Sequence, residues 1–468
     1  MSRYEIVLKD GYLIDPLNHM HGKRDIGING GKIAAVKEYI DTSEAEEYFC
    51  LEGRYVMPGI VDMHMHGSRK LGGYYVHKML AKAGVTSALE MAGPVDSVLE
   101  YARDYGTGLT IAILDSLDKG YNIPGNDPNR RDLENALGNA LSRGGIGLKL
   151  MGGNYPLTPE ATKETIQVCN DSGAYVAFHA ATTKTGSHIE GFLEAVDLIG
   201  KNHAHLAHIN SYCRGMIRPC ETETLEAVEA LTHHPNIRSE AYLASINGNT
   251  AKCTDGKPIP VVCNCLRMRR YEETEAGLEK AILEGWAQIN VIEGGAVELR
   301  TGPTAVEYWR ANYTDVGICF DVNPPLPRFW LASAKRDDGT FVVDAISTDG
   351  GGIPRNYILK YGLSLVKMNA ITLDEFVWKA SITPGRIIGF KNKGNLGEGA
   401  DADITVIDYD RQEAFMSLGS GQVIMYRGLV CGKGCNIAST KAGADNIRSY
   451  NLNPVIVDVA SGGLYNRG

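Results

Sequence analysis

Two histidines, His64 and His66, follow a short apolar run in the sequence PGIVDMHMHG at residues 58–67. In an extended strand the side chains alternate between faces, so residues i and i+2 point the same way and two imidazoles can bind one metal ion. A strand that begins after Gly59 would end at this pair. The alternative is a half-buried strand whose histidines face solvent, and the pair alone does not decide between the two.

Four further apolar runs end at a residue that can bind a metal ion or accept a proton. Their last residues are Lys149, His179, His208 and Asp349. Each alone has an ordinary explanation, such as a capping aspartate or a hydrogen-bonded core histidine. A barrel of parallel strands, however, brings the C-terminal ends of its strands together and places its active site there. The set as a whole therefore predicts one shared site.

The elements that must position these residues read as alternating strands and helices in the middle of the chain. Eight candidate barrel strands can be counted, at residues 60–64, 85–91, 109–114, 146–150, 174–179, 203–208, 237–243 and 341–348. Both chain ends carry short strands broken by turn residues instead. The sequence thus predicts an α/β fold: a (β/α)8 TIM-like barrel at 58–390 and a small β-sandwich domain built from both termini, 1–57 and 391–468.

Composition fits a large enzyme. The chain has 468 residues, a formal net charge of −9, no cluster of Lys or Arg and ten scattered cysteines. These features argue against nucleic acid as a partner and favour reduced thiols. No apolar stretch approaches the ~20 residues of a membrane span, and the N-terminus lacks a signal-peptide core. We expect a cytoplasmic protein with a small-molecule substrate and no membrane partner.

Several motifs together resemble the amidohydrolase superfamily, in its cyclic-amidohydrolase and deacylase branch of hydantoinases, dihydroorotases and N-acyl-amino-acid deacylases. The motifs in chain order are PGIVDMHMHG at 58–67, AGVTS at 83–87, LTPE at 157–160, SGAYVAFHA at 172–180, TPGRIIG at 383–389 and GADADI at 399–404. The resemblance covers nearly the whole chain. It specifies the superfamily far better than the substrate.

The resemblance implies a centre of two divalent metal ions, expected to be zinc. One ion would be held by His64, His66 and Asp349 and the other by His179 and His208, with Lys149 as a bridging ligand. An ammonium group cannot ligate a cation, so Lys149 would have to be carboxylated on its side-chain nitrogen. The implied reaction is hydrolysis of an amide C–N bond by a metal-bridging hydroxide. Asp349 would be the catalytic residue that accepts the proton and passes it to the leaving nitrogen.

Substrate contacts are less well specified. Tyr155 and Arg69 resemble a hydantoinase tyrosine and a dihydroorotase arginine, but each is displaced by one residue from the family spacing. Arg214 and Arg218, after the sixth strand, can each bind a carboxylate, although solvated loop arginines are commoner. A long insertion at about 244–340 is expected to cover the active site, and Asn247 at its start is a candidate hydrogen-bond partner for the substrate.

Three questions stay open at this point. The scissile amide can be cyclic, as in hydantoins, or open, as in N-acyl amino acids. A deaminase that attacks a heterocyclic amine is the main alternative, although most such relatives lack the bridging lysine. A catalytically inactive scaffold protein is the third reading, and the presence of every ligand type argues against it. The family's habit implies a homo-oligomer, a dimer or a tetramer.

Overall fold

Eight parallel strands form a barrel in the computed structural model, which describes residues 2–68 and 73–467. The barrel strands are Ile60–His66, Val85–Glu90, Thr107–Ser116, Gly147–Met151, Tyr175–His179, Ala204–Leu206, Ile237–Tyr242 and Ala345–Ser347. Each pairs in parallel with its neighbour along the chain. The short strand Gly350–Gly351 continues the eighth strand and pairs with the first, so the ring closes. The predicted barrel is confirmed, with strand boundaries that differ by a few residues.

Helices cover the outside of the barrel. They are Gly73–Lys82, Val95–Tyr105, Arg130–Arg143, Pro159–Asp171, Ile189–Ile199, Cys220–His233, Ile358–Lys367, Leu373–Val377, Thr383–Ile388 and Ala444–Ser449, with a π-helical turn at Trp378–Ile382. Local sequence explains where several begin. Thr158 accepts a hydrogen bond from the Ala161 amide and is followed by Pro159, a combination that favours a helix start.

Alternation along the barrel strands separates the outer face from the interior. Leu148 and Leu150 pack into the apolar layer under the helices, while Lys149 between them points to the other face. The first strand departs from strict alternation, because its pairing register shifts between Asp62 and Met65. Bulges of this kind occur near active sites and change the direction of a side chain. Here the irregularity contains His64 and directly precedes His66.

The two chain ends form a small β-sandwich domain. Its nine strands are Tyr4–Asp15, Met20–Asn29, Lys32–Lys37, Ala45–Cys50, Tyr55–Pro58, Ile404–Asp408, Glu413–Gly419, Gln422–Tyr426 and Leu429–Val430. One feature differs from the expectation that all of 391–468 belongs there. The strand Gly434–Ser439 pairs in parallel with the third barrel strand, and Asn453–Ile456 pairs with Gly434–Ser439 in turn. The exact division of the chain into domains therefore stays our proposal.

An insertion separates the seventh and eighth barrel strands. It contains a four-stranded sheet of Asn249–Thr250, Gly317–Phe320, Ala287–Glu293 and Ala296–Arg300. It also contains a two-stranded hairpin of Cys253–Thr254 and Lys257–Pro258. Its four helices are Pro260–Met268, Glu275–Leu283, Pro303–Ala311 and Pro325–Ser333. It has its own apolar core around Trp309. Among the described residues, no helix is both long and apolar enough to cross a bilayer.

Candidate metal centre

The first strand and the residue after the eighth strand build one half of the candidate centre. Oδ1 of Asp349 lies 3.1 Å from Nε2 of His66 and 3.3 Å from Nε2 of His64. All three side chains are buried, and their ligand atoms lie within 4.8 Å of one another. Three donor atoms that converge in this way can hold one divalent cation.

The fifth and sixth strands build the other half. Nδ1 of His179 lies 3.1 Å from Nε2 of His208. The remaining nitrogen of each ring is engaged by a serine hydroxyl: Ser187 at 2.8 Å from Nε2 of His179, and Ser211 at 2.6 Å from Nδ1 of His208. These contacts orient both rings, so that the two facing nitrogens are the ones available to a metal ion.

The two halves form one compact cluster. The rings of His64 and His208 stack with their centroids 5.2 Å apart. Both His208 and Asp349 have positive φ angles, 37° and 46°. This conformation is uncommon for residues other than glycine, and it tends to persist where the site requires it.

Lys149 is buried close enough to the cluster for its charge to lower the pKa of His64, His179 and His208. Its Nζ donates to Sδ of Met91 at 3.1 Å, and among the described residues no carboxylate forms an ion pair with it. Burial lowers the pKa of Lys149 to about 8, against the opposing pull of Glu240, Asp349 and Glu90. A neutral amine is therefore far more accessible here than at an ordinary lysine.

The protonation states of the cluster residues allow them to bind a cation. Burial lowers the pKa of His64 and of His208 well below the ordinary value and that of His179 to about 3, so these imidazoles are neutral at pH 7. Burial disfavours the charged form of Asp349, but the Arg355 guanidinium and His64 outweigh it and hold the pKa of this carboxyl well below its usual range. Neutral imidazoles and an ionised carboxylate are the donor set that zinc prefers, so these residues fit such an ion.

Two residues missed in the sequence analysis support the cluster. Oε1 of Glu240, on the seventh strand, accepts from the His208 amide at 2.6 Å and lies 2.7 Å from Nδ1 of His64. Its other oxygen accepts from the Ser347 hydroxyl. Burial raises the pKa of Glu240 to about 8. The only available signal was a glutamate in the candidate strand at 237–243, which also contains Arg238 and Ser239.

The second missed residue is Arg355. Its Nη2 lies 2.6 Å from Oδ2 of Asp349, while its Nε donates to the main-chain oxygen of Asp349 and its Nη1 to that of Ile246. The guanidinium also lies over the Tyr242 ring, 4.5 Å from the centroid. It therefore fixes one carboxylate oxygen of Asp349 and leaves Oδ1 directed at the histidines.

Two glycines, Gly351 and Gly153, lie against residues of the candidate centre and leave no room for a side chain. Gly351 has a φ of 71°, and a Cβ at this position would meet the main-chain oxygen of His66 at 2.4 Å. Glycine is therefore required where the eighth strand closes against the first. A side chain at Gly153 would similarly meet Nε2 of His179 at 2.6 Å.

The two arginines predicted to contact the substrate differ in their partners. Arg214 lies near the centre and bonds to Asn323 and to the Tyr242 hydroxyl. The guanidinium of Arg218 is instead engaged by Glu226 and Glu190.

The other three candidates lie elsewhere. Asn247 is buried and bonds to the Phe320 amide and to Sγ of Cys265 within the insertion, so its amide is occupied structurally. Tyr155 is 41% exposed and lines a separate cleft with Lys119. Arg69 lies outside the described residues.

Comparison with known proteins adds four findings. The model of the amidohydrolase family matches residues 55–427. The dihydroorotase of Elusimicrobium minutum is 26% identical over 440 residues, covering 87% of this chain and 88% of that protein. The dihydroorotase of Trichlorobacter lovleyi is 31% identical over 442 residues, covering 87% and 90%.

Among solved structures, N-acyl-D-glutamate deacylase from Bordetella bronchiseptica, solved with zinc and a phosphonate inhibitor, superposes with a TM-score of 0.67 at 14% identity. The match covers 93% of this chain and 99% of that one.

Proposed function

The chain belongs to the amidohydrolase family and is a hydrolase of carbon–nitrogen bonds of the cyclic amide or N-acyl amino acid type, and on that premise we propose how its own residues perform the reaction. The single observation that carries the proposal is the convergence of His64, His66, His179, His208 and Asp349 around one buried point. Two divalent cations bound there, which we propose to be zinc, would lower the pKa of a shared water toward neutrality and polarise the substrate carbonyl.

The protein supplies the ligands in two sets. His64, His66 and Asp349 would hold one ion, and His179 and His208 the other. The neutral amine of Lys149 would add carbon dioxide and release a proton, which gives a carbamate that would supply oxygen ligands to the two ions. The depressed pKa of Lys149 and the lack of an ion-pair partner among the described residues both support this step.

Asp349 would move the proton. Its Oδ2 is taken by Arg355 at 2.6 Å, so Oδ1 is the atom that can accept the proton lost by the attacking water. The same oxygen would then pass it to the departing nitrogen, which cannot leave as an amide anion. Glu240 keeps the hydrogen of His64 on Nδ1, which frees Nε2 for the ion.

The proposal is tested by metal analysis and a substrate screen. Purified enzyme should hold about two equivalents of zinc per chain and hydrolyse members of a panel of hydantoins, dihydropyrimidines, dihydroorotate, lactams and N-acyl amino acids. About one equivalent, with ammonia released from heterocyclic amines, would point to the deaminase alternative and overturn the proposal. Light scattering would test the expected dimer or tetramer.

Carboxylation of Lys149 has its own test. Enzyme equilibrated with 13C-bicarbonate and zinc should give one carbamate signal in the 13C NMR spectrum, and Lys149→Met should abolish it. Lys379 is a matched control, because it is also buried and burial lowers its pKa to about 7, yet it lies away from the histidines and donates to the Val343 oxygen. Persistence of the signal in Lys149→Met, or its loss in Lys379→Met alone, would refute the assignment.

A further inference from the structure

A cleft of about 310 Å³ opens between the loop after the sixth barrel strand and the insertion. We call it the insertion cleft. It is lined by Arg214, Ser245, Trp286 and Asn323, together with Arg269 and Arg328. Trp286 and the two last arginines belong to the insertion, so this segment forms most of the wall.

The charge in the insertion cleft is unbalanced. Three guanidinium groups line it, against the single carboxylate of Asp321. Among residues 2–68 and 73–467, none of the three arginines forms an ion pair with a carboxylate, whereas Arg218 and Arg267 nearby do. The chain as a whole carries −9, so this local excess of positive charge runs against the global sign.

The three arginines are held in different ways. Arg328 donates from Nε to the main-chain oxygen of Pro324 and from Nη1 to that of Leu243, so the main chain holds its guanidinium in place. Arg269 lies over the indole of Trp286, 4.8 Å from the ring centroid. Arg214 donates from Nε and Nη2 to Asn323 and Tyr242, which leaves Nη1 without a partner among the described residues. All three guanidiniums keep a donor without a partner among the described residues, and Arg214 and Arg269 are the two that no main-chain oxygen holds.

The cleft connects to the candidate centre through Tyr242. The hydroxyl of this residue accepts a hydrogen bond from Arg214 at 3.1 Å. The guanidinium of Arg355, which forms an ion pair with Asp349, lies over the Tyr242 ring. The charge of Arg214 also lowers the pKa of His179 and of His208, after the larger effects of burial and of other nearby groups. A ligand in the cleft would therefore extend away from the reacting bond along the insertion.

We propose that the insertion cleft binds a carboxylate group of the substrate that is remote from the scissile C–N bond, with Arg214 and Arg269 as its contacts. The inference rests on the proposed function for the position of that bond. A guanidinium donates two parallel hydrogen bonds to a carboxylate, and this pairing is stronger than a neutral one. The preferred substrates would then be amides with an acidic side chain rather than neutral or apolar ones.

The test uses probes without a C–N bond, so that it does not depend on turnover. Glutarate and pentanoate share a five-carbon chain and differ by one carboxylate. We expect zinc-loaded enzyme to bind glutarate at least about tenfold more tightly in isothermal titration calorimetry at 0.15 M salt. Arg269→Gln should bring the ratio close to one, because it removes a guanidinium that contacts the second carboxylate. Arg269 is exposed, so this substitution leaves the insertion core intact. Arg267→Gln, the same change two residues away in an arginine paired with Glu273, should leave the ratio unchanged.

The outcomes separate this inference from the proposed function. Equal binding of the two probes, no measurable binding of glutarate, or an equal loss in Arg267→Gln would overturn the cleft assignment even if amides are hydrolysed. A glutarate preference that depends on Arg269 would support it even if no amide in the panel reacts. With turnover present, the kcat/KM ratio of N-acetylglutamate to N-acetylglutamine should fall in Arg269→Gln in parallel with the binding ratio.

Discussion

Replacing Glu240 with glutamine isolates the charge of one buried carboxylate behind the candidate centre. Oε1 of Glu240 receives the His208 amide and Nδ1 of His64, and Oε2 receives the Ser347 hydroxyl. A glutamine can place its oxygen where Oε1 lies and keep the first two bonds. Its NH2 group then faces Ser347, whose hydroxyl can rotate to accept. Burial raises the pKa of Glu240 to about 8 in the metal-free protein, and bound divalent cations would favour the ionised carboxylate. In the loaded centre the substitution therefore removes the negative charge without leaving a cavity.

The expected loss follows from the two retained bonds. A hydrogen bond to a charged group contributes about 1.5–3 kcal/mol and a neutral one about 0.5–1.5 kcal/mol, so two weakened bonds amount to roughly 2–3 kcal/mol. Part of this acts on His64 as a ligand, since an ion at Nε2 fixes the hydrogen on Nδ1. Loss of such a partner typically lowers metal affinity by about 10–100-fold, which corresponds to about 1.4–2.7 kcal/mol. The two figures agree.

The assay is zinc affinity in competition with a chromophoric chelator. Glu240→Gln should bind its first zinc about 10–100-fold more weakly, while urea unfolding of the metal-free protein changes little. Ser347→Ala is the matched control, because it removes a bond to the same carboxylate but leaves Oε1 and its charge in place. Zinc affinity in Glu240→Gln within threefold of wild type, or a loss in Ser347→Ala of the same size, would refute the reasoning.

Three further predictions follow from the site and the barrel. Asp349→Asn should lower kcat by about 10²–10⁴-fold, the usual contribution of a proton-transfer group, and near-normal turnover at full metal content would contradict the assigned role. Arg355→Met should destabilise the metal-free protein by about 3–5 kcal/mol in urea unfolding, because it leaves the Asp349 carboxylate buried and unpaired; adding Asp349→Asn should restore part of that loss. Burial lowers the pKa of Lys379 to about 7 from 10.5, so between these pH values the unfolded chain binds more protons than the folded one. The free energy of unfolding should therefore rise from about pH 7 to pH 10, by up to ~1.4 kcal/mol per pH unit. Lys379→Met should remove that slope, and parallel stability–pH curves for the two proteins would disprove it.

The ends of the barrel strands could be predicted because two simple regularities coincide there. Parallel strands share one carboxyl edge, and an apolar run that stops at Lys149 or His179 marks that edge in the sequence. The structure adds a detail that alternation does not provide. His64 lies within a register irregularity between Asp62 and Met65, so the direction of its side chain depends on pairing with the second strand, which only the fold determines.

The residues that sequence reasoning missed act through partners distant in the chain. Glu240 contacts His64 and Ser347, which are 176 and 107 positions away. Arg355 is close in sequence to Asp349 but takes its orientation from Ile246 and Tyr242 on the far side of the insertion. Neither residue type is rare, and neither spacing is a motif. Their roles arise only when the seventh and eighth strands become neighbours.

Arg214 and Arg218 also show that the role of a residue can depend on partners that the local sequence does not reveal. They occupy one loop, four residues apart, and carry identical chemistry, so no pattern in the loop distinguishes them. The helix that follows presents Glu226 to Arg218, and the helix before the sixth strand presents Glu190. Within the described part of the chain, Arg214 meets only neutral partners, Asn323 and Tyr242. Whether a loop arginine is neutralised at the surface or kept for an anionic ligand is therefore decided by the carboxylates of neighbouring helices, and that contrast is the physical basis for placing the substrate's remote carboxylate in the insertion cleft.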